Sequence, residues 1–524
     1  MIFHSPYTTV TIPEVPLTPF VLGRTEQFGD KPALIDGPTG RTITYRQLAE
    51  MVRRVAAGLA ARGFAKSDVF AIYSPNLPEY AVAFHGVSLA GGINTTINPL
   101  YTADELAYQL NDARAKYLLT IPAFLDKALE AAGKSGVKEV FVFGEAEGAT
   151  PFSALLETDG PPPEVQINPR EDLVALPYSS GTTGLPKGVM LTHHNLVANV
   201  CQIVEPEPLG EKDTTIAILP FYHIYAMELI LNYGVYCGAT MVTMPRFDMQ
   251  QFLELLQNHG VTRAYIVPPI VLGLTQHPLV DKYDLSKLEM LFSGAAPLGE
   301  NVARAAAERL GCRIKQAYGL TETSPATHIN PEDPARIKIG SIGPPVANTD
   351  CKLVDPESGT ELGPNEVGEL WIRGPQVMKG YLNRPDATAA MIDADGFLHS
   401  GDMAYADEDG YFYIVDRLKE LIKYKGLQVA PAELEALLCS HPSVADAAVI
   451  PSPDAEAGEI PVAYVVLKGD ATGDEIMSFV AARVAPHKRI RRVTMVDTIP
   501  KTTSGKILRR VLVERERAPR GEDA

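Results

Sequence analysis

Apolar positions change their spacing several times between residues 31 and 119. "RQLAEMVRRVAAGLAARG" carries them at helical spacing and ends at Gly63, a residue that stops helices. "VFAIYS" and "KYLLTI" are short apolar runs typical of buried strands. Between them, "TADELAYQL" opens with Thr102, followed three positions later by Glu105, which predicts a capping box at a helix start. This alternation predicts parallel sheets covered by helices.

Alternating strands and helices return in "FLELLQNHGVTRAYIVPP" and "NVARAAAERLGCRIKQAYG". From Cys351 to Tyr413 the pattern changes to short β runs separated by turns, which predicts a β-rich subdomain over about 345–415. A new α/β unit follows Asp416. We therefore predict an α/β fold with a large N-terminal domain of layered α/β sheets over 1–415, a hinge at 416–418, and a small, mobile α+β C-terminal domain over 419–524.

The composition is that of a globular enzyme, since 46% of the 524 residues are apolar and 21% are charged. A formal net charge of −17 argues against nucleic acid or an anionic membrane as the main partner. Polar residues interrupt the most apolar stretch, 216–244, so no membrane span is expected. The N-terminus lacks a signal-peptide pattern, and the five cysteines are far apart. Together these features predict a cytoplasmic protein.

Basic residues concentrate near the C-terminus, in "DRLKELIKYKG", "APHKRIRRV" and "KTTSGKILRR". A basic face on an acidic protein suits ligands that carry phosphates, because the local charge decides which ligand binds. Solvated helix faces are the alternative interpretation of the same three segments.

A stretch rich in glycine and hydroxyl groups, "YSSGTTGLPKGVMLTH", runs from Tyr178 to His193 inside the α/β pattern. Its glycines allow close approach of the backbone, and successive N–H groups in such a turn form a concave anion site. It is not a Walker A loop, because Gly188 follows Lys187 where that motif needs Ser or Thr. Taken alone, the stretch could also be a flexible surface turn.

Ordered segments along the chain resemble the motifs of the adenylate-forming acyl-CoA synthetases: "SSGTTGLPKG", "PFYHIY", "QAYGLTE", "SGD", "DRLKELIKYKG" and "PKTTSGKILRR". The resemblance covers about Asp30 to Arg510 and looks most like 4-coumarate–CoA ligases and their bacterial relatives. It implies that a carboxylate attacks the α-phosphate of ATP to give acyl-AMP and pyrophosphate. The thiol of coenzyme A then displaces AMP.

The resemblance implies a set of ATP-binding residues. Tyr318 would stack on adenine, Thr321 would donate to the α-phosphate, and Glu322 would hold Mg²⁺, a hard ion that prefers oxygen ligands. Asp402 would accept from the ribose hydroxyls, and Arg417 would reach the ribose. We call "SSGTTGLPKG" the phosphate loop and "QAYGLTE" the adenine segment, after the roles that the resemblance implies. They supply the other contacts, from Ser179, Ser180, Gly181, Thr182, Thr183, Gly184, Lys187, Gln316, Ala317 and Gly319. The alternatives are a core aromatic for Tyr318 and a turn cap for Asp402.

The implied catalytic residues are Lys506, His223, Thr321 and Glu322. Lys506 lies in a glycine-containing turn, "TTSGK", from which its ammonium could stabilise charge in the pentavalent transition state. His223 would lie near the carboxylate of the acid, and a satisfied core histidine is its alternative. The turn also fits a family pattern in which a lysine acetyltransferase removes the charge of the lysine, which is a hypothesis for Lys506.

By the same resemblance, Asp416 to Lys419 form a swivel between the two domains. Rotation would present Lys506 for adenylation first and a different face of the small domain for coenzyme A second. The residues implied in the swivel and the second step are Asp416, Lys419, Lys423, Lys425, Gly426 and Gln428.

The implied acid pocket is lined by Tyr225, Leu229, Gly294, Ala295, Gly319, Pro325 and Ala326. Most of these residues are small, which leaves a deep apolar slot, and no acidic residue is identified that would meet an amino group. An aryl acid such as a hydroxycinnamate suits the slot, and so does a medium- or long-chain fatty acid. Tyr225 could bond a ring hydroxyl or simply pack.

Two other functions stay open at this point. The acyl acceptor could be the phosphopantetheine of a separate carrier protein, which shares the thiol arm of coenzyme A. A non-catalytic nucleotide-binding module, from a different class, would keep the phosphate loop but lose Lys506, Glu322 or Asp402, and all three are present.

Overall fold

The computed structural model describes residues 1–158, 160–179, 186–425, 427–454, 456–502 and 505–517. Within these ranges the strands form four sheets. Two are α/β sheets, one is an antiparallel β-rich sheet, and one lies in the C-terminal part of the chain. The predicted α/β fold class is therefore confirmed. No helix in the described ranges is both long and apolar enough to cross a bilayer.

The first α/β sheet contains the strands on either side of the phosphate loop. Its core is parallel, and Val69–Ile72 is buried along its whole length, as its continuous apolar run predicts. In spatial order the strands are Tyr178–Ser179, Lys187–Thr192, Leu173–Ala175, Ile93–Thr96, Val69–Ile72, Ala115–Thr120, Glu139–Val142 and Thr150–Pro151, and Gly380–Tyr381 pairs with Lys187–Thr192.

The second α/β sheet is parallel except at its two edges. In spatial order its strands are Ala326–Ile329, Arg313–Gly319, Met290–Ser293, Arg263–Ile266, Thr214–Ala217, Thr240–Thr243, Pro32–Asp36 and Thr42–Thr44. The carboxyl end of Arg313–Gly319 therefore carries the adenine segment, which is the usual place for ligands in sheets of this kind.

Helices cover both α/β sheets. They run over Leu17–Leu22, Thr25–Phe28, Tyr45–Ala61, Pro78–Leu89, Ala103–Asp112, Leu125–Gly133, His193–Ile203, Tyr233–Cys237, Met249–Asn258, Pro268–Gln276, Glu300–Leu310 and Pro385–Ala389. The predicted capping box is confirmed, because the side chains of Thr102 and Glu105 each bond the backbone N–H of the other residue. One π-helix, Ala226–Asn232, precedes Tyr233–Cys237.

A group of charges, which we call the sheet network, joins two strands of the second sheet, Arg263–Ile266 and Arg313–Gly319, to two glutamates outside the strands. Arg263 lies 3.0 Å from both Glu207 and Glu332, and Lys315 lies 2.5 Å from Glu207 and 2.9 Å from Glu332. Burial alone would raise the pKa of Glu332, but the bonds from Arg263 and Lys315 lower it to about 2. Each carboxylate of this network therefore faces cations.

The β-rich sheet begins at the N-terminus of the chain, which the sequence pattern did not predict. Its strands are Phe3–His4, Asp350–Val354, Gly368–Arg373, Leu398–Ala406 and Phe412–Arg417. The single tryptophan of the sequence, Trp371, stacks on His399 with ring centroids 3.7 Å apart. Its indole N–H donates to Glu369, and the other oxygen of Glu369 accepts from the backbone N–H of Gly401.

The C-terminal sheet has its own core and its own helices. Its strands are Leu427–Val429, Ile422–Tyr424, Gly458–Leu467 and Val444–Asp454, with Arg492–Met495 beside Gly458–Leu467, and its helices are Pro431–Cys439, Gly473–Ala481 and Arg509–Arg517. Ile422, Leu434, Val449 and Ile476 are among its buried core residues. We call the described residues from 422 to 517 the small lobe, those up to 417 the large lobe, and 418–421 the connecting segment. The domain boundaries themselves stay a prediction.

Candidate active site

The predicted nucleotide residues come together where the second α/β sheet meets the β-rich sheet. Asp402 and Arg417 are direct partners on two antiparallel strands, and Arg417 Nε lies 3.4 Å from Asp402 Oδ1. Tyr318, at the end of its strand, donates its hydroxyl to Asp402 Oδ2 at 2.5 Å. Burial raises the pKa of Asp402, and the positive charge of Arg417 partly offsets this effect. The carboxylate is thus fixed by two side chains.

The adenine segment presents backbone and one unpaired amide. Gln316 is buried, its Oε1 accepts from the backbone N–H of Leu298 at 3.2 Å, and its Nε2 has no partner among the described residues. Ala317 and Gly319 are half-buried. A Cβ on Gly319 would lie 2.1 Å from the carbonyl oxygen of Pro325, so only glycine fits there. A buried donor without a partner is costly, which makes Gln316 a fitting contact for a ligand acceptor.

Glu322 lies between the two ends of the phosphate loop. It is buried in the short turn Thr321–Thr323, and its Oε1 accepts from the hydroxyls of Ser179 and Tyr381, each at 2.8 Å. Lys187, the register partner of Ser179, places its ammonium 5.0 Å from the ring centroid of Tyr381. Sequence reasoning missed Tyr381, because nothing in its local pattern separates it from a strand tyrosine.

Part of the predicted phosphate loop lies outside the described residues. Ser180, Gly181, Thr182, Thr183 and Gly184 fall there, and so does Gly426 of the predicted coenzyme A set. Their roles stay predictions.

The carboxylates present fit a magnesium ion better than an all-protein metal centre. No group of three or more His, Cys, Asp or Glu side chains within the described ranges could hold a metal. Mg²⁺ is usually held by one or two carboxylates together with substrate phosphates, which matches the single carboxylate of Glu322 beside the phosphate loop.

Lys506 reaches this cleft from the small lobe. The turn that carries it is closed by bonds from Thr502 N–H to the Lys506 carbonyl oxygen, at 2.8 Å, and from Lys506 N–H to the Thr502 hydroxyl, at 3.1 Å. Gly505 has a φ of +80°, and a Cβ there would lie 3.1 Å from the Pro269 ring of the large lobe. Any other residue at this position would have a strained backbone and a crowded Cβ. Glycine therefore allows the turn to pack against the large lobe.

The charges around Lys506 come from both lobes. Burial and the positive charge of Arg417 lower the pKa of Lys506 to about 8, while Glu420 and Asp402 oppose the shift. Burial and the charge of Lys506 in turn lower the pKa of His223 to about 4. His223 is therefore neutral at pH 7, and Lys506 lies within electrostatic range of it. The structure thus brings together a lysine and a histidine that are 283 positions apart in the chain.

His223 has an orienting partner that the sequence could not reveal. Its Nδ1 accepts from the backbone N–H of Tyr225 at 3.2 Å. The other ring nitrogen is therefore the one left to face a ligand.

Tyr225 packs in the predicted acid pocket, with its hydroxyl already engaged. The hydroxyl donates to the carbonyl oxygen of Phe292 at 3.0 Å, and the residue is 7% exposed. A Cβ on Gly294 would lie 3.2 Å from the tyrosine ring, so this glycine shapes the wall. Of the two roles left open for Tyr225, packing is the one that its contacts support. The other predicted wall residues include Leu229 and Ala326, both buried, together with Pro325 and Ala295.

Sequence reasoning missed an acidic side chain next to this pocket. Glu228 is fully buried in the π-helix that also carries Leu229, and its Oε2 accepts from Asn232 at 2.7 Å. Its Oε1 has no partner among the described residues. Burial raises the pKa of Glu228 well above its ordinary value, because the charged form loses its solvation, and the bond from Asn232 partly offsets this effect. The sequence analysis did not identify this residue, and the expectation that no acidic residue meets an amino group in the pocket stays a prediction.

The residues predicted for the second step divide into two groups. Asp416 is buried, and its carboxylate accepts from the backbone N–H of Ala432 at 2.8 Å, so the large lobe caps the first helix of the small lobe. Lys423, Lys425 and Gln428 are exposed on the hairpin that follows the connecting segment, and Lys425 pairs with Glu456 at 2.5 Å. Lys419 is also exposed. In this orientation the hairpin residues do not join Lys506 in the cleft.

Comparison with known families matches two models along the chain. The AMP-binding enzyme model matches residues 23–382, and the model of the AMP-binding enzyme C-terminal domain matches residues 433–506. A 4-coumarate–CoA ligase of Petroselinum crispum is 45% identical over 524 residues, which cover 98% of this chain and 96% of that protein. A 4-coumarate–CoA ligase of Pinus taeda is 45% identical over 510 residues, covering 96% and 95%.

Solved structures with bound ligands are similar over nearly the whole chain. ATP-bound MatB from Rhodopseudomonas palustris superposes with a TM-score of 0.86 at 30% identity, covering 96% of this chain and 99% of that one. The anthranilate CoA ligase AuaEII in complex with anthranoyl-AMP gives a TM-score of 0.88 at 26% identity, covering 97% and 98%.

Proposed function

The chain belongs to the AMP-binding enzyme family, and on that basis we propose how its cleft works as an AMP-forming acid–CoA ligase. The chain is such a ligase, and its curated relatives, matched over almost its full length, are 4-coumarate–CoA ligases. In the first step the acid carboxylate forms a bond to the α-phosphorus of ATP while the bond to pyrophosphate breaks. In the second step the thiol of coenzyme A forms the thioester, and AMP leaves.

One observation carries the proposed mechanism: a small-lobe lysine lies in a large-lobe cleft beside the ribose carboxylate. Lys506 is within electrostatic range of Asp402, Arg417 and His223. Its ammonium would stabilise the negative charge that spreads over the α-phosphate and the attacking carboxylate. Neutral His223 would contact the carboxylate of the acid without adding a positive charge of its own.

The nucleotide contacts follow from the same geometry. Tyr318 would stack on adenine while its hydroxyl holds Asp402, and Asp402 would accept from the ribose hydroxyls. Glu322 would hold Mg²⁺ together with the phosphates, and the bound ion would offset charge on the departing pyrophosphate. Ser179 and Lys187 would complete the phosphate contacts at the two ends of the loop.

The acceptor step would use a basic cavity on the small lobe. The cavity has a volume of about 660 Å³ and is lined by Tyr424, Leu427, Pro486, His487, Arg489 and Arg491. Arg491 also lies over the ring of Tyr424, 4.9 Å from its centroid. Arginines beside an aromatic ring suit a nucleotide that carries phosphates, which favours coenzyme A over the shorter phosphopantetheine of a carrier protein.

For the acid, we propose an aryl substrate of the hydroxycinnamate type. The small wall residues leave an apolar slot, and the burial that raises the pKa of Glu228 disfavours a charged partner for an amino group. A fatty acid is the alternative, because an apolar slot accepts a chain as well as a ring.

A panel of acids tests this assignment. Hydroxycinnamates, cinnamate, benzoate and fatty acids of increasing length are each incubated with ATP, Mg²⁺ and coenzyme A, and AMP and thioester are measured. We expect equal amounts of both products, with hydroxycinnamates giving the highest kcat/KM. Fatty acids in first place would overturn the aryl assignment, and a lack of ATP–pyrophosphate exchange with every acid would overturn the ligase mechanism.

A further inference from the structure

One arginine of the small lobe is buried among carboxylates next to the turn that carries Lys506. Arg509 begins the helix Arg509–Arg517, and its side chain is 13% exposed. Its Nη1 lies 2.8 Å from Glu420, and its Nη2 donates to both oxygens of Glu435 at 2.8 and 2.7 Å. Its Nε donates to the carbonyl oxygen of Val449 at 3.3 Å. All three nitrogens of the planar guanidinium therefore have a partner.

The partners of Arg509 lie on two segments that control where the small lobe sits. Glu420 belongs to the connecting segment between the lobes. Glu435 is on the helix Pro431–Cys439, whose N-terminus is capped by Asp416 of the large lobe. We call Asp416, Glu420, Glu435 and Arg509 the hinge cluster. Through it, one side chain joins the connecting segment, the first small-lobe helix and the end of the Lys506 turn.

We propose that Arg509 is a positioning residue for adenylation, which fixes Lys506 in the cleft by tying its turn to the connecting segment. The inference rests on the proposed function, since it assigns Lys506 to the adenylation step. Displacement of a reacting group by about 1 Å can cost about 100-fold in rate. The turn itself is closed by bonds within residues 501–507, which shape it but do not attach it to the hinge. Arg509 supplies that attachment.

Arginine suits this task better than lysine for a geometric reason. Nη2 donates to both carboxylate oxygens of Glu435, while a different nitrogen, Nη1, pairs with Glu420. A lysine could supply the charge but not several bonds in one plane. The guanidinium therefore fixes both the distance and the orientation of Glu420 and Glu435 relative to Arg509.

The test compares two neighbouring arginines. Arg509→Met removes the buried guanidinium, whereas Arg510→Met removes an exposed one, which is 83% exposed and pairs with Glu514 within its own helix. Each variant is assayed for adenylation, by pyrophosphate exchange, and for thioester formation from supplied acyl-AMP. We expect adenylation by Arg509→Met to fall about 100-fold while the thioester step changes little. Arg510→Met should match the wild type in both steps, and Arg509→Lys should recover only part of the adenylation rate.

The pH profile of adenylation provides a second measurement, which would not change if Arg509 only stabilised the fold. The charged groups that act on Lys506 are Arg417, Arg509, Glu420 and Asp402, and neutral His223 faces it from the large lobe. Arg509 lowers the pKa of Lys506. Arg509→Met should therefore move the alkaline limb of the residual adenylation activity to higher pH, and Arg510→Met should leave the limb in place.

A double variant separates positioning from folding. If Arg509→Met does not fold, Glu435→Gln/Arg509→Met removes a buried carboxylate together with its partner and should restore the fold. Slow adenylation with a preserved thioester step in the folded double variant supports the proposal. Equal losses in both steps, or full adenylation in the folded double variant, would overturn it. Failure of the wild type and of Arg510→Met to form any acyl-AMP would instead contradict the proposed function.

Discussion

The sheet network and the hinge cluster are both buried groups of charge, but they differ in balance and in what they connect. In the sheet network, Arg263 and Lys315, on two strands of one sheet, face the loop residues Glu207 and Glu332. In the hinge cluster, one cation faces three carboxylates, and its members come from both lobes and the segment between them. Opposite charges are thus equal in number within the sheet network and unequal in the hinge cluster, where a rotation is predicted.

This difference appears in the carboxyl groups themselves. The pKa of Glu332 is lowered to about 2, while that of Glu435 is raised to about 7 because burial outweighs the charge of Arg509. The carboxyls of the two clusters therefore titrate in different pH ranges, and the predictions below separate stability in one region from catalysis in the other.

Lys315→Met should have the largest effect and should act on stability alone. Lys315 is fully buried, and its loss leaves Glu207 and Glu332 with too little positive charge, which should lower the free energy of unfolding by about 3–5 kcal/mol. Chemical denaturation measures this change. Lys134→Met, which removes an exposed lysine paired with Asp104, should leave the free energy of unfolding almost unchanged. If folded Lys315→Met changed the ratio of the adenylation rate to the thioester-forming rate, the sheet network would not act on stability alone, and its contrast with the hinge cluster would be wrong.

Lys506→Ala should act on catalysis alone. We expect adenylation to slow by about 10²–10³-fold, because the positive charge at the α-phosphate is lost, while supplied acyl-AMP still reacts with coenzyme A. Single-turnover assays of each half-reaction measure the split. Lys468→Ala, at an exposed small-lobe position, is the matched control and should leave both rates unchanged. Equal losses in the two half-reactions would show that Lys506 has a different role.

Glu435→Gln should remove a pH dependence of small-lobe stability. The carboxyl binds its proton more tightly in the folded chain, with a pKa of about 7 against an ordinary 4.5, so its stabilising effect is complete below 4.5 and is lost as pH rises through 7. The change should amount to about 3 kcal/mol. Hydrogen exchange of the helix Pro431–Cys439 across this range measures it. Glu433→Gln, on the same helix, should keep the wild-type slope, and an unchanged slope in Glu435→Gln would refute the assignment.

The pH profile of adenylation should show the smallest effect. Because the pKa of Lys506 is about 8, the rate should fall about tenfold per pH unit once the lysine loses its proton. Arginine stays charged in this range, so the residual activity of Lys506→Arg should show no such fall. Pyrophosphate exchange between pH 7 and 10 measures both profiles. A fall of equal size in the arginine variant would assign the titration to another group.

Much of the fold was predictable, because local pattern decides it. Three features depend only on residues that are close together in the sequence. They are the alternating runs before residue 119, the capping box of Thr102 and Glu105, and the change to short strands after Cys351. The strand Phe3–His4 was not predictable, since its pairing with Asp350–Val354 depends on a contact between distant parts of the chain. The π-helix that carries Glu228 was also missed, because an apolar run predicts burial but not helix pitch.

The candidate site was predictable in its residue types but not in its electrostatics. Lys506, Asp402 and Tyr318 stand in recognisable motifs, yet the neutral state of His223 depends on burial and on a lysine from the other lobe. Tyr225 shows the same limit, because its hydroxyl bonds a backbone oxygen that no local pattern connects to it. The hinge cluster was invisible in the sequence, since Glu420 and Arg509 are 89 positions apart.

The indole of Trp371 provides an optical reporter that needs no added label. It is the single tryptophan of the chain, and Glu369 links it to the backbone of Gly401, the residue before Asp402 in the strand Leu398–Ala406. A nucleotide that displaces Gly401 and Asp402 when it binds should change the surroundings of the indole ring. Stopped-flow emission could therefore follow occupancy of the cleft in the unmodified enzyme, turnover by turnover.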